Sequence, residues 1–269
     1  MDILTHALSG AAAGTLFAGF SNKGFKAKGA IVTFAAIGGI LPDSDAISLW
    51  SGFDGTIGKL FALAHSGRDI YSAKFWYSHH GFLHSIVAAA LAALLIGTIV
   101  YLIRRHKSKY SLSDYKLSLK SDFLLMAAFF TGFIIHSLMD MPTPASTWGG
   151  VNLFWPLPVY AGGSGEIWWW NNYDIFLIVL LVLIINITIL SLRKISGRRQ
   201  WRLTIMVFIA GTLLTIVQTK TRSYDFNYTG NTPRYQEYEQ RSKDLQKEML
   251  GDGLYSAMSW LDRHVRVNF

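Results

Sequence analysis

A chain of 269 residues with 51% apolar and 14% aromatic side chains carries too many long apolar runs for an ordinary soluble domain, and it reads as an integral membrane protein. Its net charge of +8 does not point to nucleic acid, because Lys and Arg fall in short blocks beside apolar segments and not along one polar face. Cysteine is absent, which excludes disulfides and thiolate ligands and leaves nitrogen and oxygen donors for any metal.

The N-terminus has neither a charged n-region nor a small-residue cleavage site, so no removable signal peptide is expected. Ala7 to Phe20 and Ala30 to Leu41 are short apolar runs rich in Gly and Ala, which predict a tight helical hairpin that spans only with protein around it. Lys23, Lys26 and Lys28 stand between them without an acid. Pro42 stops the second run, and the loop that follows carries Asp43, Asp45, Asp54 and Asp69 against Lys59, Arg68 and Lys74. Its glycines lie among aromatics and predict short helices packed over a site. Ser85 to Ile103 is a span by length and apolarity, followed by Arg104, Arg105, Lys107 and Lys109. Phe123 to Met139 is a fourth, with Gly132 and His136 turned to the protein interior. From Asp140 to Asp174 there is no Lys or Arg, and the run Trp168, Trp169, Trp170 suits headgroup depth. Ile175 to Leu192 and Leu203 to Val217 are the last two spans, separated by Arg193, Lys194, Arg198 and Arg199. Beyond Gln218 the composition turns polar, and Pro233 to Leu250 reads as a surface helix of mixed charge.

The expected fold is therefore all-α, a polytopic membrane helix bundle of about six spans. Residues 1–218 form the membrane-embedded domain and 219–269 a polar, external C-terminal tail. By the positive-inside rule the three basic loops are cytoplasmic and both termini are outside. His6, Asp43, Asp45, His79, His84, His136 and Asp140 then all reach the external face, beside the ends of apolar stretches. Only Lys and Arg set that orientation, so the convergence of acids and imidazoles is independent of it.

His136 and Asp140 are spaced i, i+4, which puts an imidazole and a carboxylate on one helix face, able to chelate one metal or bridge two; an intrahelical hydrogen bond is the plainer alternative. His79, His80 and His84 lie within six residues before a span, and Gly81 lets the chain turn so that His79 and His84 converge. Asp43 and Asp45 follow the helix-stopping Pro42, where both can ligate or one can orient an imidazole. His6 alone carries little signal, and His65, His106 and His264 have no such context.

Thr5-His6, Leu41-Pro42-Asp43-Ser44-Asp45, His79-His80-Gly81-Phe82-Leu83-His84-Ser85 and His136-Ser137-Leu138-Met139-Asp140, with Thr143-Pro144 and Leu153-Phe154-Trp155-Pro156 after them, resemble in order and spacing the motifs of the YdjM-like family of inner-membrane proteins, assigned as metal-dependent hydrolases. The resemblance covers roughly the first 160 residues, and the family is held to be a distant relative of zinc-dependent phospholipase C and P1-type nucleases. It implies metal ligands at His6, Asp43, Asp45, His79, His84, His136 and Asp140, holding two or three divalent ions, zinc first and manganese second. It implies catalytic roles for His80 and Asp45 and a bacterial inner-membrane location. The expected activity is hydrolysis of a phosphate ester, a lipid phosphate or phospholipid at the external membrane face. Where the family typically reads His-Arg-Gly-Phe-Thr-His-Ser, this chain has His80 and Leu83, so the bidentate grip of an Arg on phosphate is missing at that position. A divalent metal or proton transporter and a structural membrane protein are the competing classes; transport would call for polar residues at mid-span as well.

Overall fold

A computed structural model describes residues 1–107, 114–192, 195 and 197–265. Lys109, Arg193 and Lys194, three of the basic residues used to orient the chain, lie outside the described residues. The chain folds as α1 (Ile3–Phe20), α2 (Phe25–Ile40), α3 (Gly67–Ser72), α4 (Ile86–Lys107), α5 (Tyr115–Ser121), α6 (Phe123–Asp140), α7 (Tyr173–Ser191), α8 (Gly197–Lys220) and α9 (Tyr235–Val265). Among the described residues there is no strand, only isolated bridges such as Pro144 with Ser164. Six helices, α1, α2, α4, α6, α7 and α8, are long and apolar enough to cross a membrane, as the apolar runs predict.

The element ends differ from the expected ones for local reasons. Asp2 caps α1, its carboxylate accepting from the Thr5 backbone N–H at 2.7 Å and from the Thr5 hydroxyl at 2.6 Å. That starts the helix at Ile3 and places His6 inside the first helical turns and not ahead of the span. Pro42 does not release the chain into an open loop, because Leu41–Leu49 continue as a 3-10 helix with Pro42 in its first turn. Helix α8 begins six residues earlier than expected, at Gly197, and takes Arg198, Arg199 and Arg202 into its first turns. Helix α9 runs past Leu250 to Val265, with a kink at Gly251, whose φ of 72° is left-handed.

Helices α1, α2 and α6 pack at backbone distance, and glycine makes this possible. A β-carbon on Gly39 would run into the His6 carbonyl, and one on Gly132 would run into the Ala35 carbonyl. With no side chains between them, the three helices hold His6, the Asp43 turn and His136 in a fixed relation. Deeper in the bundle the Asn186 amide donates to the Thr15 hydroxyl at 2.8 Å and to the Thr204 carbonyl at 3.3 Å, joining α7, α1 and α8. The polar C-terminal segment folds back over the end of the bundle that carries Asp43, His79 and Asp140. Phe226 and Leu245 are buried with Trp148, Trp168 and Trp169, and Met258 packs on Tyr173 and Phe176.

Candidate metal centre

Every residue singled out in the motifs comes to one end of the bundle. Asp140, the last residue of α6, stands at the centre. Its Oδ1 lies 3.1 Å from His6 Nε2 and 2.8 Å from the Met1 amino nitrogen, while its Oδ2 lies 3.1 Å from His136 Nε2 and 3.7 Å from His84 Nε2. Asp43 Oδ1 completes this group, 3.4 Å from His136 Nε2 and 3.9 Å from His84 Nε2. The His6 ring stacks on His136 with centroids 3.7 Å apart.

The segment before α4 is aimed by its backbone. A β-carbon on Gly81 would approach the Trp76 and Ser78 carbonyls at 2.6 and 2.8 Å, so only glycine passes there. His80 takes the left-handed φ of 62°, a conformation that costs a residue with a β-carbon about 1–3 kcal/mol. The turn brings the His79 and His84 rings to 5.0 Å. It is pinned on two sides, since the Asn152 N–H donates to the His80 carbonyl at 2.9 Å and the Ser137 hydroxyl to the His84 carbonyl at 3.0 Å.

Hydrogen bonding settles which ring nitrogens are free. A carbonyl can only accept, so His136 Nδ1–H donates to Gly39 O at 2.7 Å and His80 Nδ1–H to Gly150 O at 3.0 Å. Each leaves Nε2 turned inward. Asp45 Oδ2 lies 3.5 Å from His84 Nδ1 without a hydrogen bond, while Asp45 Oδ1 holds His79, 2.8 Å from its Nδ1. That is the carboxylate–imidazole arrangement that fixes a tautomer and frees Nε2 for a ligand. Burial, then the neighbouring His79, pushes the His80 pKa down to about 3, and burial with His80 and His79 holds His84 well below the ordinary imidazole range. Both rings are neutral at ordinary pH, the form that ligates.

This donor set fits a divalent ion. The Nε2 atoms of His84 and His136 face each other at 3.3 Å, close enough for both to serve one ion. Neither His6 ring nitrogen has a hydrogen-bond partner, nor do Asp45 Oδ2 and His80 Nε2, although all are buried. Four donors at 2.0–2.1 Å from a tetrahedral ion would be about 3.3 Å apart. The five spacings given above among Asp43, His84, His136 and Asp140 run from 3.1 to 3.9 Å. His79, His80 and His84, and also Asp43, Asp45 and His79, form further groups within ligating range. They share residues with the first, as bridged ions require.

Residues 1–222 match the family described as YdjM inner membrane protein. The chain belongs to that family. No curated protein and no solved structure matches it. The YdjM match takes in all six candidate spans and every motif residue, and it stops before α9. The motif resemblance over the first 160 residues thus extends through α8, and the family description places this integral membrane protein in the inner membrane.

Several residues around the YdjM-family cluster carry no signal in the sequence. Tyr71 stacks on His79 at 4.6 Å, and Trp148 lies 4.8 Å from His79 and 4.7 Å from His80. With Trp169, Trp170, Tyr228 and Tyr235 they wall a cavity of about 720 Å³ whose floor holds Asp43, His79, His80 and Asp140. Burial, with Asp43 and Asp45 nearby, raises the Tyr71 pKa, so its hydroxyl stays a donor. The only hint was Trp148-Gly149-Gly150, since Gly150 at φ 109° brings its carbonyl to His80.

Proposed function

We propose that this protein is a membrane-bound, metal-dependent hydrolase of phosphate esters, acting on a lipid phosphate or phospholipid at the external membrane face. The single observation that carries the reading is the buried, cysteine-free group of Asp43, His84, His136 and Asp140, with unpartnered imidazole and carboxylate atoms beside it. Bound divalent ions, zinc or manganese, would lower the pKa of a water and neutralise phosphoryl charge. Asp43, His84, His136 and Asp140 would hold the first ion, with His6 against Asp140; His79 and Asp43 would supply donors to a second. Asp45 positions His79 through its Nδ1 atom and faces His84 Nδ1 with its second oxygen. His80, neutral and with an unpartnered Nε2 3.9 Å from Asp140 Oδ2, would accept a hydrogen from the attacking water and so orient it. Tyr71 offers a hydroxyl to a phosphate oxygen in place of the missing Arg. The choice of phosphate over another ester rests on the family resemblance.

The transporter reading lacks support from the mid-span residues. Asn186, Thr15 and Thr204, buried there, are uncharged, and the Asn186 amide is taken up by the Thr15 hydroxyl and the Thr204 backbone carbonyl. Purified protein in nanodiscs, loaded with zinc or manganese, is expected to release phosphate or a phosphorylated headgroup from phospholipids or polyprenyl phosphates, and chelation is expected to abolish the release. If a broad panel stays intact while the site is fully metallated, the hydrolase reading is wrong.

The external placement rests on the basic loops, Lys23, Lys26 and Lys28 among them, which belong on the cytoplasmic side. The absence of native cysteine makes this testable without background. Asn22→Cys, exposed between α1 and α2, is expected to resist an impermeant thiol reagent in intact cells, and Ser256→Cys, exposed on α9, to react. The reverse pattern would turn the site to the cytoplasm.

A further inference from the structure

A second cleft, of about 500 Å³, runs down the bundle between α1, α6, α7 and α8. It starts at Pro142 and Lys220, at the level of the metal-ligand residues, and ends at Val182 and Phe208. From Phe208 to Lys220 α8 rises by about 18 Å along its axis, against about 15 Å for the hydrocarbon of one leaflet. Of the hydroxyls in its wall, two are turned back on their own helices, Ser9 to the Thr5 carbonyl and Thr219 to the Thr215 carbonyl, and apart from Thr212, Thr215 and the Glu166–Lys220 mouth the lining side chains are apolar. Its one basic side chain, Lys220, sits at the mouth and is paired with Glu166.

The cleft and the metal cavity adjoin. Leu138 and Met139 line the cleft while the next residue, Asp140, lines the cavity, and Met1 lines both. We infer that the cleft seats one hydrocarbon chain of a membrane lipid, which enters sideways from the leaflet on the metal side so that its head lies over Asp43 and Asp140. The inference rests on the hydrolase reading only for what becomes of the head. A cleft one leaflet deep, largely apolar and continuous with a polar cavity at headgroup level has the shape and polarity of a single lipid, chain below and head above. Water would be a poor occupant, since the wall leaves it few partners.

The test reads occupancy and needs no turnover. Protein in nanodiscs containing a phospholipid with a diazirine near the end of one acyl chain is irradiated, and the labelled peptides are mapped by mass spectrometry. Label is expected on α7 around Ile178 and on α8 around Thr212, the faces lining the cleft. Thr215→Phe and Ile135→Phe, each placing a ring in the cleft, are each expected to cut this label by at least about fivefold, since a close-packed wall cannot yield room for both ring and chain. Leu94→Phe, on the exposed face of α4, should leave it unchanged. Label confined to outward faces in the unsubstituted protein, or a cleft label indifferent to both substitutions, would overturn the inference. Cleft labelling without phosphate release would sink the hydrolase reading and leave the lipid seat standing.

Discussion

Replacing Asp140 with alanine is expected to empty the centre of metal, and replacing His136 with alanine to do nearly as much, with the membrane bundle intact in both. Asp140 has both carboxylate oxygens engaged, with His6 on one and His84 and His136 on the other. Without it the Asp43 carboxylate is left facing two imidazoles, His84 and His136, and a divalent ion loses both charge neutralisation and a corner of its donor set. Loss of a group one step further out costs 10–100-fold in metal affinity, so removing a direct donor is expected to cost at least about 100-fold. Any hydrolytic activity should fall with it. Span formation is insensitive to these changes, because both residues lie in the last turns of α6 and the helix is anchored by Ala128, Phe129 and Phe133 in buried clusters below them. Elemental analysis of protein dialysed against graded free zinc gives the affinity, and membrane fractionation gives insertion. Full occupancy in both variants would remove Asp140 and His136 from the ligand set.

The spans were legible because bilayer thickness imposes a length on apolar runs, and α4, α6 and α7 have few polar interruptions. Their ends were less legible. Asp2 is an ordinary N-cap, yet its reach to the Thr5 N–H decides that His6 belongs to α1, and nothing in an apolar-run argument weighs a cap. The cluster itself was readable as a set of residue types at span ends. Its wiring was not, because that depends on partners distant in sequence, such as Gly39 behind His136 and Gly150 behind His80. The aromatic wall was hidden for a further reason. Tyr71 sits in a polar stretch, and Tyr228 and Tyr235 lie in a segment that reads as a detached tail, whereas Phe226 and Leu245 bury that segment against Trp148, Trp168 and Trp169.

Asp45→Asn is expected to weaken metal binding by about 10–100-fold while leaving a centre that excess metal can refill, which separates a positioning residue from a direct donor. Asp45 bonds His79 Nδ1 with one oxygen at 2.8 Å and turns the other toward His84 Nδ1, 3.5 Å away. Asparagine keeps one acceptor and turns the other into an N–H donor. One imidazole must then carry its proton on Nε2 to avoid a donor-to-donor contact, and an Nε2–H cannot ligate until that proton moves. The penalty therefore falls on the free energy of occupancy and not on the number of donors, so saturating zinc should restore metal content and most of the activity. Asp140→Ala, which deletes a donor, should not recover activity under the same titration. Asp45→Glu is expected to fall between the two, keeping both acceptors but moving them by one methylene in a buried site. Isothermal titration with zinc, alongside activity at each metal concentration, distinguishes the cases. An Asp45→Asn protein that no excess of zinc can refill would make Asp45 a ligand in its own right.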